Sequence, residues 1–387
     1  MKRKLLFVID SLACGGAEKS LVSLLPLLNP SKYEIHLWIL HRGGIFESLL
    51  PDNVIVEEEP QGQLGEQLLY RIGLMRYSLM FRWNKLIGKR EHGAETMWKC
   101  LDHFYLVPKQ YYDVAIAYQQ GLPTYLVAKK IRALKKIAWV NVNIFNAGYN
   151  SDFNSNYYDK MDCIVPVSND LESILREIYS QFTNKYVCIY DILNAELIRK
   201  QALVPFSEKD LFHKKITLVT VGRLAPQKNH LLAVDAAKLL KDRGIDYYWF
   251  FIGEGSERPK IEQRINMLGL GDTVSLLGMR TNPYPYIANC TIYVQTSSFE
   301  GFGLTIAEAK ILHKPVVSTN FDVVHDQLTH EYNGLIAEMT AESVAKQICR
   351  LLTHASLLEH IMENVSREEN TTYLTEIIKA EQIFDAN

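Results

Sequence analysis

The sequence lacks paired cysteines and long apolar runs. Even the nearest two of its six cysteines, Cys163 and Cys188, are too far apart for a CxxC pair or a zinc-type spacing. No run reaches the roughly 18 apolar residues that a membrane-spanning helix needs. The run from Leu5 to Ile9 is too short for the core of a signal peptide. We therefore expect a cytoplasmic protein whose thiols are reduced.

An excess of basic charge is also missing. The chain has 42 Lys and Arg residues against 44 Asp and Glu residues, which gives a net charge of -2. A protein that is held to nucleic acid by phosphate contacts usually has a strongly basic balance. The composition therefore argues against nucleic acid as a partner. The hydrophobic content of 48% is ordinary for a globular protein with packed cores.

What the sequence does contain is a repeated cycle of strand, turn and helix. A length of 387 residues suggests two domains. Apolar runs predict strands at 5–9, 33–40, 114–117, 137–142, 164–167, 187–190, 216–221, 249–252, 274–277, 292–295 and 316–318. Buried strands that alternate with helices are typical of a parallel, doubly wound α/β sheet.

A polar stretch at 199–215 interrupts this cycle. We place the domain boundary there, with an N-terminal domain at 1–204 and a C-terminal domain at 205–387, and we treat the last helix as a candidate to pack back on the N-terminal domain. Two such domains facing each other create a cleft at the carboxyl ends of their strands, where ligands bind in sheets of this kind.

The most specific motif is the segment from Glu300 to Glu308 (EGFGLTIAE), which follows a predicted strand. Gly301 and Gly303 allow a sharp turn, and a helix begins at Leu304. The first amides of a helix have no partner within it and attract anions. We therefore expect a diphosphate at the amides of Gly303, Leu304 and Thr305.

Two carboxylates flank this predicted phosphate cradle. Glu300 stands before the turn, and Glu308 lies about one turn into the helix. Both are placed to accept hydrogen bonds from hydroxyl groups on either side of the diphosphate. The glycine turn between them favours a binding role over that of two surface glutamates.

A basic loop follows another predicted strand. In the segment VGRLAPQKN, Arg223 and Lys228 fall at the carboxyl end of the strand. Guanidinium and ammonium groups suit phosphate oxygens. The position of this loop favours phosphate binding over a solvated surface pair.

The segment FIGEGSER begins like a dinucleotide fingerprint, with glycines at Gly253 and Gly255. It lacks the third glycine because Arg258 occupies that position, which argues against a nicotinamide cofactor. A glycine turn close to a nucleotide remains expected. Met279 and Arg280 close the next strand, and their backbone groups are candidates to contact a base.

Taken in order, the GGAE sequence at Gly15, the VGRLAPQKN loop, the GEG turn and the EGFGLTIAE segment resemble the retaining GT-B glycosyltransferases of family 4, the glycosyl transferases group 1. The resemblance covers nearly the whole chain. It implies two Rossmann-like domains, a nucleotide-sugar donor held mostly by the C-terminal domain and an acceptor met by the N-terminal domain.

The resemblance also assigns roles to residues. It places the ribose hydroxyls at Glu308 and the donor sugar at Glu300, and it places the diphosphate at Arg223 and Lys228. The catalytic candidates are therefore Glu300, Arg223 and Lys228. The donor-binding candidates are Gly16, Gly253, Gly255, Met279, Arg280, Gly301, Phe302, Gly303, Leu304, Thr305 and Glu308.

The sequence departs from the family pattern at Asn141. Many members carry a histidine near this position, whereas this chain has Asn141 and Asn143. Asparagine can hydrogen-bond a sugar hydroxyl, but it cannot act as a general base. Together with Gly15, the two asparagines are our acceptor-side candidates, and a mechanism built on that histidine does not transfer to this chain.

No two aspartates form the DxD pattern with which other glycosyltransferases bind Mg or Mn. We expect transfer without a metal or other cofactor, and with retention on the resemblance alone. UDP is preferred to GDP only because UDP-sugars are common donors. The expected acceptor is a saccharide or lipid-linked saccharide in bacterial surface polysaccharide synthesis. A nucleotide-sugar 2-epimerase and a catalytically silent nucleotide-sugar-binding subunit are the alternatives.

The segment 67–90 does not follow the strand and helix cycle. It has six basic residues and no acidic one. Helical spacing puts Ile72, Leu79 and Trp83 on one face and Arg71, Arg82 and Lys85 on another. One interpretation is a core helix with a solvated basic face. The other is contact with anionic lipid at the inner membrane face or with a lipid-linked acceptor, because basic amphipathic helices with Trp and Phe suit a membrane interface.

Overall fold

The computed structural model describes residues 2–13, 15–58, 64–88, 91–212, 215–368 and 372–386, and only the backbone at 64–67 and 372–373. The chain divides into two compact units. The first comprises residues 1–192 and 373–387, and the second comprises residues 193–372. The boundary predicted near residue 205 therefore lies inside the second unit.

A parallel sheet forms the centre of the first unit. Six strands of the described chain lie in the order β3-β2-β1-β4-β5-β6. They are β1 (Arg3–Ser11), β2 (Tyr33–His41), β3 (Val54–Val56), β4 (Tyr111–Ala117), β5 (Arg132–Val140) and β6 (Cys163–Pro166). The run from Leu5 to Ile9 is fully buried. A strand covered by helices on both faces is apolar throughout, which is why this run shows no alternation.

Helices connect and cover these strands. They are α1 (Gly16–Leu24), α2 (Leu64–Leu86), α3 (Gly93–Leu101), α4 (Leu122–Lys129), α5 (Ser151–Tyr158) and α6 (Asn169–Ile178). None of the helices in the described part of the chain combines the length and hydrophobicity of a membrane span.

The second unit repeats this architecture. It begins with α7 (Ala195–Ala202), and six described strands lie in the order β12-β11-β10-β7-β8-β9. They are β7 (Ile216–Val221), β8 (Tyr247–Ile252), β9 (Val274–Gly278), β10 (Ile292–Gln295), β11 (Val316–Thr319) and β12 (Leu335–Ala337). The helices are α8 (His230–Asp242), α9 (Arg258–Met267), α10 (Tyr284–Asn289), α11 (Leu304–Ile311), α12 (Ala341–Thr353) and α13 (Ala355–Arg367). The prediction of two doubly wound α/β domains is confirmed.

The last helix, α14 (Thr372–Asp385), packs in the first unit. Phe384 is fully buried and meets the ring of Phe7 edge-on, with centroids 5.9 Å apart. The amide of Tyr190 donates to Glu376 at 2.8 Å. Hydrophobic burial at one end and a hydrogen bond at the other therefore fix this helix on the sheet of the first unit.

Two details differ from the sequence predictions. The segment 187–190 is not a strand. The amides of Val187 and Ile189 donate hydrogen bonds to β6. The pairing amounts to one isolated β-bridge, between Ile164 and Tyr186. In addition, β3 and β12 were not predicted because each has three residues. Such short runs carry too little periodicity to be recognised.

Candidate active site

Polar side chains of the second unit gather where β7 and β10 end. These two strands are neighbours in the sheet and run parallel. The loops that follow them, 222–229 and 296–303, therefore leave the same edge side by side. Thr296 donates to the carbonyl of Lys228 at 3.1 Å, and the amide of Ser298 donates to that of Gln227 at 2.7 Å. These bonds hold the two loops together.

The centre of this edge is the carboxylate of Glu300. Its Oε1 accepts a hydrogen bond from Lys228 Nζ at 2.5 Å, from Ser297 Oγ at 2.5 Å and from Gln295 Nε2 at 2.7 Å. The side chains of Lys228 and Glu300 are only 16% and 9% exposed. Opposite charges attract each other more strongly where water is excluded. Lys228 and Glu300 therefore hold each other in position.

Gln295 organises the groups around Glu300. It ends β10 and is buried, and its Oε1 accepts from Tyr293 at 2.9 Å and from Thr305 at 3.1 Å. Its Nε2 donates to Ser297 and Glu300. Every polar atom of this side chain is engaged, so its orientation is fixed. Sequence reasoning missed Gln295 and Ser297, because single polar residues at the end of a strand or just after it do not form a motif.

The glycine turn before α11 has the predicted form. Gly303 lies in the left-handed region with φ 84°, where a side chain would be strained, and it caps α11. Gln327 Nε2 donates to the carbonyls of Phe302 and Gly303. The turn is therefore held from outside the motif. The amides at the start of α11, including those of Leu304 and Thr305, remain the predicted anion site.

Glu308 lies one turn further into α11 and has no exposed surface. Tyr284, at the start of α10, donates to its Oε1 at 3.2 Å. Contact of Glu308 with the hydroxyl groups of a bound ligand stays a prediction. Tyr284 is a further residue that the motif did not reveal.

Arg223 differs from Lys228 although both belong to one loop. Its side chain is exposed, and no ion pair joins it to a described residue.

Gly222 and Gly253 are in close contact, because a Cβ at Gly253 would collide with the carbonyl of Gly222. Gly255 packs in the same way against Leu224. These two glycines of the GEG turn therefore serve loop packing, whatever else they contact.

The side chain of Arg280 is engaged within the second unit. It donates to Glu208 at 3.0 Å and to the hydroxyl of Tyr286 at 3.1 Å. Burial alone would raise the pKa of Glu208, but hydrogen bonds from Ser207, Tyr286 and Arg280 lower it to about 2. The guanidinium thus has a structural partner. Met279 is exposed, and contact of a base with the backbone at 279–280 stays a prediction.

The acceptor-side candidates have local roles in the first unit. Asn141 Nδ2 donates to the carbonyl of Tyr118 at 2.9 Å, and Asn143 Oδ1 accepts from the amides of Phe145 and Asn146. Gly15 caps α1, whose first residue is Gly16. None of these contacts places a reactive group, so an acceptor role for these residues stays a prediction.

A buried carboxyl group beside α1 was missed by the sequence analysis. Burial raises the pKa of Asp191 to about 7, and the nearby hydroxyl of Ser20 in α1 opposes this rise. Ser20 also bonds the hydroxyl of Tyr118 at 3.0 Å. A carboxyl group that exchanges its proton near neutral pH is typical of functional sites. The sequence gives no signal for Asp191, because its partners come from distant segments.

His230, the first residue of α8, lies beside the Lys228 loop. It is 2% exposed, and neither ring nitrogen has a hydrogen-bond partner among the described residues. Burial lowers the pKa of His230 to about 4, and the charge of Lys228 adds to this effect. The folded protein therefore holds this imidazole neutral.

We expect acid to destabilise the second unit through His230. Between the unfolded pKa of about 6.5 and the folded pKa of about 4, the unfolded chain binds more protons, so stability falls as pH falls through this window. The loss of stability from this group at pH 5 is about 2 kcal/mol.

Urea unfolding of wild type and His230→Phe at pH 7 and pH 5 measures this loss. The variant should lose less stability than wild type, whereas the control His103→Gln, at an exposed histidine, should behave like wild type. Equal losses in wild type and His230→Phe would contradict the assignment.

Comparison with known proteins gives a consistent result. Residues 205–368 match the family described as glycosyl transferases group 1. An N-acetylgalactosamine-N,N'-diacetylbacillosaminyl-diphospho-undecaprenol 4-alpha-N-acetylgalactosaminyltransferase of Campylobacter jejuni is 30% identical over 367 residues, which is 94% of each chain. The lipopolysaccharide core biosynthesis glycosyltransferase LpsD of Rhizobium meliloti is 22% identical over 93% of this chain and 91% of its own length.

The likeness extends to solved structures. Anabaena Alr3699/HepE in complex with UDP-glucose has a TM-score of 0.73 at 18% identity, covering 98% of this chain and 99% of that chain. At this identity the likeness concerns the fold. It confirms the predicted GT-B architecture of two Rossmann-like units.

Proposed function

The chain belongs to the glycosyl transferases group 1, and from this premise we propose that it moves a hexose-type sugar from a UDP-sugar to a lipid-linked saccharide, with retention and without a metal. Its setting is bacterial surface polysaccharide synthesis. The name of the Campylobacter relative, which includes a diphospho-undecaprenol acceptor, supports the lipid-linked class. The complexes of the Anabaena protein with UDP and UDP-glucose support the donor.

The arrangement of Lys228, Glu300 and the glycine turn carries this proposal. Lys228 and Glu300 lie at the edge of the sheet, next to the loop that ends in the first amides of α11. A departing nucleotide diphosphate gains negative charge. Cationic side chains and preorganised amides stabilise such charge without moving during the reaction. Lys228, Arg223 and the start of α11 are the groups that would do so here.

In the proposed step, the bond from the sugar C1 to the diphosphate oxygen breaks, and its electrons go to the diphosphate. The acceptor hydroxyl forms a bond to C1 of the oxocarbenium-like sugar on the same face. Its proton passes to the departing phosphate oxygen. Glu300 contacts the donor sugar in this proposal, and its negative charge stabilises the positive charge that develops on the sugar.

We expect the purified protein to release UDP from a UDP-sugar in the presence of a lipid-linked saccharide extract, and to keep this activity in EDTA. Lysine, arginine and helix amides would replace the metal as the source of positive charge. A coupled assay for free UDP, run with UDP-, GDP- and ADP-sugars, measures both points. Loss of activity in EDTA that Mg or Mn restores would contradict metal independence.

The same assay, combined with chromatography of the UDP-sugar, separates the alternatives. A 2-epimerase would convert the donor without acceptor extract, and a silent binding subunit would bind UDP and leave the UDP-sugar unchanged. Thermal shifts identify the nucleotide, because a ligand at about 100 times its dissociation constant stabilises a protein by about 2.7 kcal/mol. Stabilisation by GDP alone would contradict the UDP assignment.

A further inference from the structure

Helix α2 has a well-defined inner face that packs against α3. A Cβ at Gly73 would collide with Leu101, so the absent side chain lets the two helices approach closely. Asn84 is 6% exposed and donates to Glu91 at 3.0 Å. Met80 contacts Cys100, with the sulfur atoms 3.7 Å apart. These contacts fix which side of α2 faces the protein.

The opposite face carries six apolar side chains, three of which the sequence analysis placed on one face. Their spacing of three or four residues places them in one continuous stripe. The apolar stripe consists of Leu68, Ile72, Met75, Leu79, Trp83 and Leu86. Its members are exposed by between 45% at Ile72 and 79% at Leu86. The interpretation of α2 as a core helix with a buried apolar face is therefore wrong.

Basic side chains border this stripe. Arg71, Arg82 and Lys85 lie along one side of it, and Arg76 lies on the other. All four are exposed, and none forms an ion pair with a described residue. The nearest acidic side chain after the helix, Glu91, is engaged by Lys99 and Asn84. Lys89 and Arg90, which belonged to the predicted basic segment, lie outside the described residues.

We propose that α2 lies in the plane of an anionic bilayer surface, with the apolar stripe inserted among the acyl chains and the four basic residues at the headgroups. A continuous exposed apolar patch rimmed by polar residues marks an interaction site. An amphipathic helix with Lys and Arg beside Trp and Leu suits the interface plane. Membrane binding of this kind requires neither a donor nor an acceptor, so it goes beyond the proposed sugar transfer.

Charge decides between a bilayer and a second copy of the chain. Two copies joined through this stripe would bring the same basic residues together, and the stripe offers no acidic side chain to pair with them. An anionic headgroup layer supplies the missing negative charge and an apolar interior at the same time. The stripe therefore fits lipid better than it fits itself.

Sedimentation of the full chain with vesicles tests the proposal. Wild type should bind vesicles of phosphatidylcholine with phosphatidylglycerol much more tightly than phosphatidylcholine alone, and high salt should weaken this binding because ions screen the headgroups. Changing Arg71, Arg82 and Lys85 to Gln should weaken binding to the anionic vesicles about tenfold or more. Changing Leu79, Trp83 and Leu86 to Ser should weaken it by a similar factor.

A matched control places the same apolar change elsewhere. Leu134, Leu203 and Met267 are also exposed, and they lie outside α2. Their triple change to Ser should leave vesicle binding at the wild-type level. Because every altered side chain is on the surface, circular dichroism should show unchanged folding in all variants.

Trp83 gives a direct reading of insertion. It is 61% exposed, whereas the other four tryptophans are buried. Brominated anionic lipids should therefore quench the emission of Trp83, and the change Trp83→Leu should remove the quenching while binding persists. Absence of wild-type binding would overturn the proposal. Unchanged vesicle binding after the change of Leu79, Trp83 and Leu86 to Ser would also overturn it. The same holds if ultracentrifugation shows a dimer that this change abolishes and the protein does not bind vesicles. Loss of UDP release with intact vesicle binding would contradict only the proposed function.

Discussion

Replacing Glu300 by Gln is expected to lower the turnover number about 100- to 1,000-fold while changing donor affinity little. The amide keeps the shape of the side chain and can still accept the hydrogen bonds from Ser297 and Lys228. The amide has no negative charge to stabilise the positive charge that develops on the sugar. An interaction that strengthens only in the transition state affects turnover rather than binding. Initial rates over a range of UDP-sugar concentrations separate the two parameters.

Glu308→Gln is the informative comparison for this experiment. Glu308 is buried beside Tyr284 and is assigned to the ribose, so its change should raise the donor KM more than it lowers turnover. Glu331→Gln serves as the control, because Glu331 pairs with Arg350 at the surface. It should leave both parameters unchanged. Equal effects of Glu300→Gln and Glu308→Gln on turnover and KM would contradict the division of roles.

Replacing Lys228 by Met, or Arg223 by Gln, is expected to weaken UDP binding about 10- to 100-fold each. A hydrogen bond to a charged group contributes about 1.5 to 3 kcal/mol, which corresponds to this range. The two variants should differ in stability. Lys228 is shielded and paired with Glu300, so its loss leaves a carboxylate without its counter-charge. Arg223 is exposed, and its loss should leave the free energy of unfolding unchanged. Calorimetric titration with UDP and urea unfolding measure the two quantities.

The control for this pair is Lys238→Met, at a surface lysine that pairs with Asp242 in the same unit. Its UDP affinity should match wild type. A double variant of Lys228→Met with Glu300→Gln reports the coupling directly, because removing both charges should cost less stability than the sum of the single changes. UDP binding within twofold of wild type for both Lys228→Met and Arg223→Gln would remove the cationic loop from the site.

Much of the fold could be predicted because each element is encoded locally. Apolar runs followed by glycine-containing loops marked β1, β7 and β10, and the helical start after Gly303 was visible in the spacing of its motif. The three-residue strands β3 and β12 escaped because their pairing depends on a neighbouring strand. The boundary also differed, since α7 owes its place in the second unit to packing against α10 and α11, which are distant in sequence.

The candidate site was predicted only in its parts. The motifs indicated Lys228 and Glu300 separately, and each was predicted to contact the ligand. In the structure the two side chains form an ion pair with each other. Gln295, which orients Glu300, went unrecognised because a single glutamine at a strand end is not a motif. Arg280 was assigned to the donor through its backbone, and this stays a prediction. The ion pair of its guanidinium with Glu208 was not predicted, because Glu208 is distant in sequence.

The sequence by itself determined which side chains share a face or follow a strand, because helical and strand periodicities are properties of the local chain. It thus placed polar residues at strand ends and grouped the apolar residues of α2. Tertiary structure decided which groups meet. Neighbouring positions of β7 and β10 bring Lys228 to Glu300, and close packing of α3 at Gly73 turns the apolar stripe of α2 outward. The physical reason is that burial and pairing depend on a complementary surface, and that surface comes from residues far away in the chain.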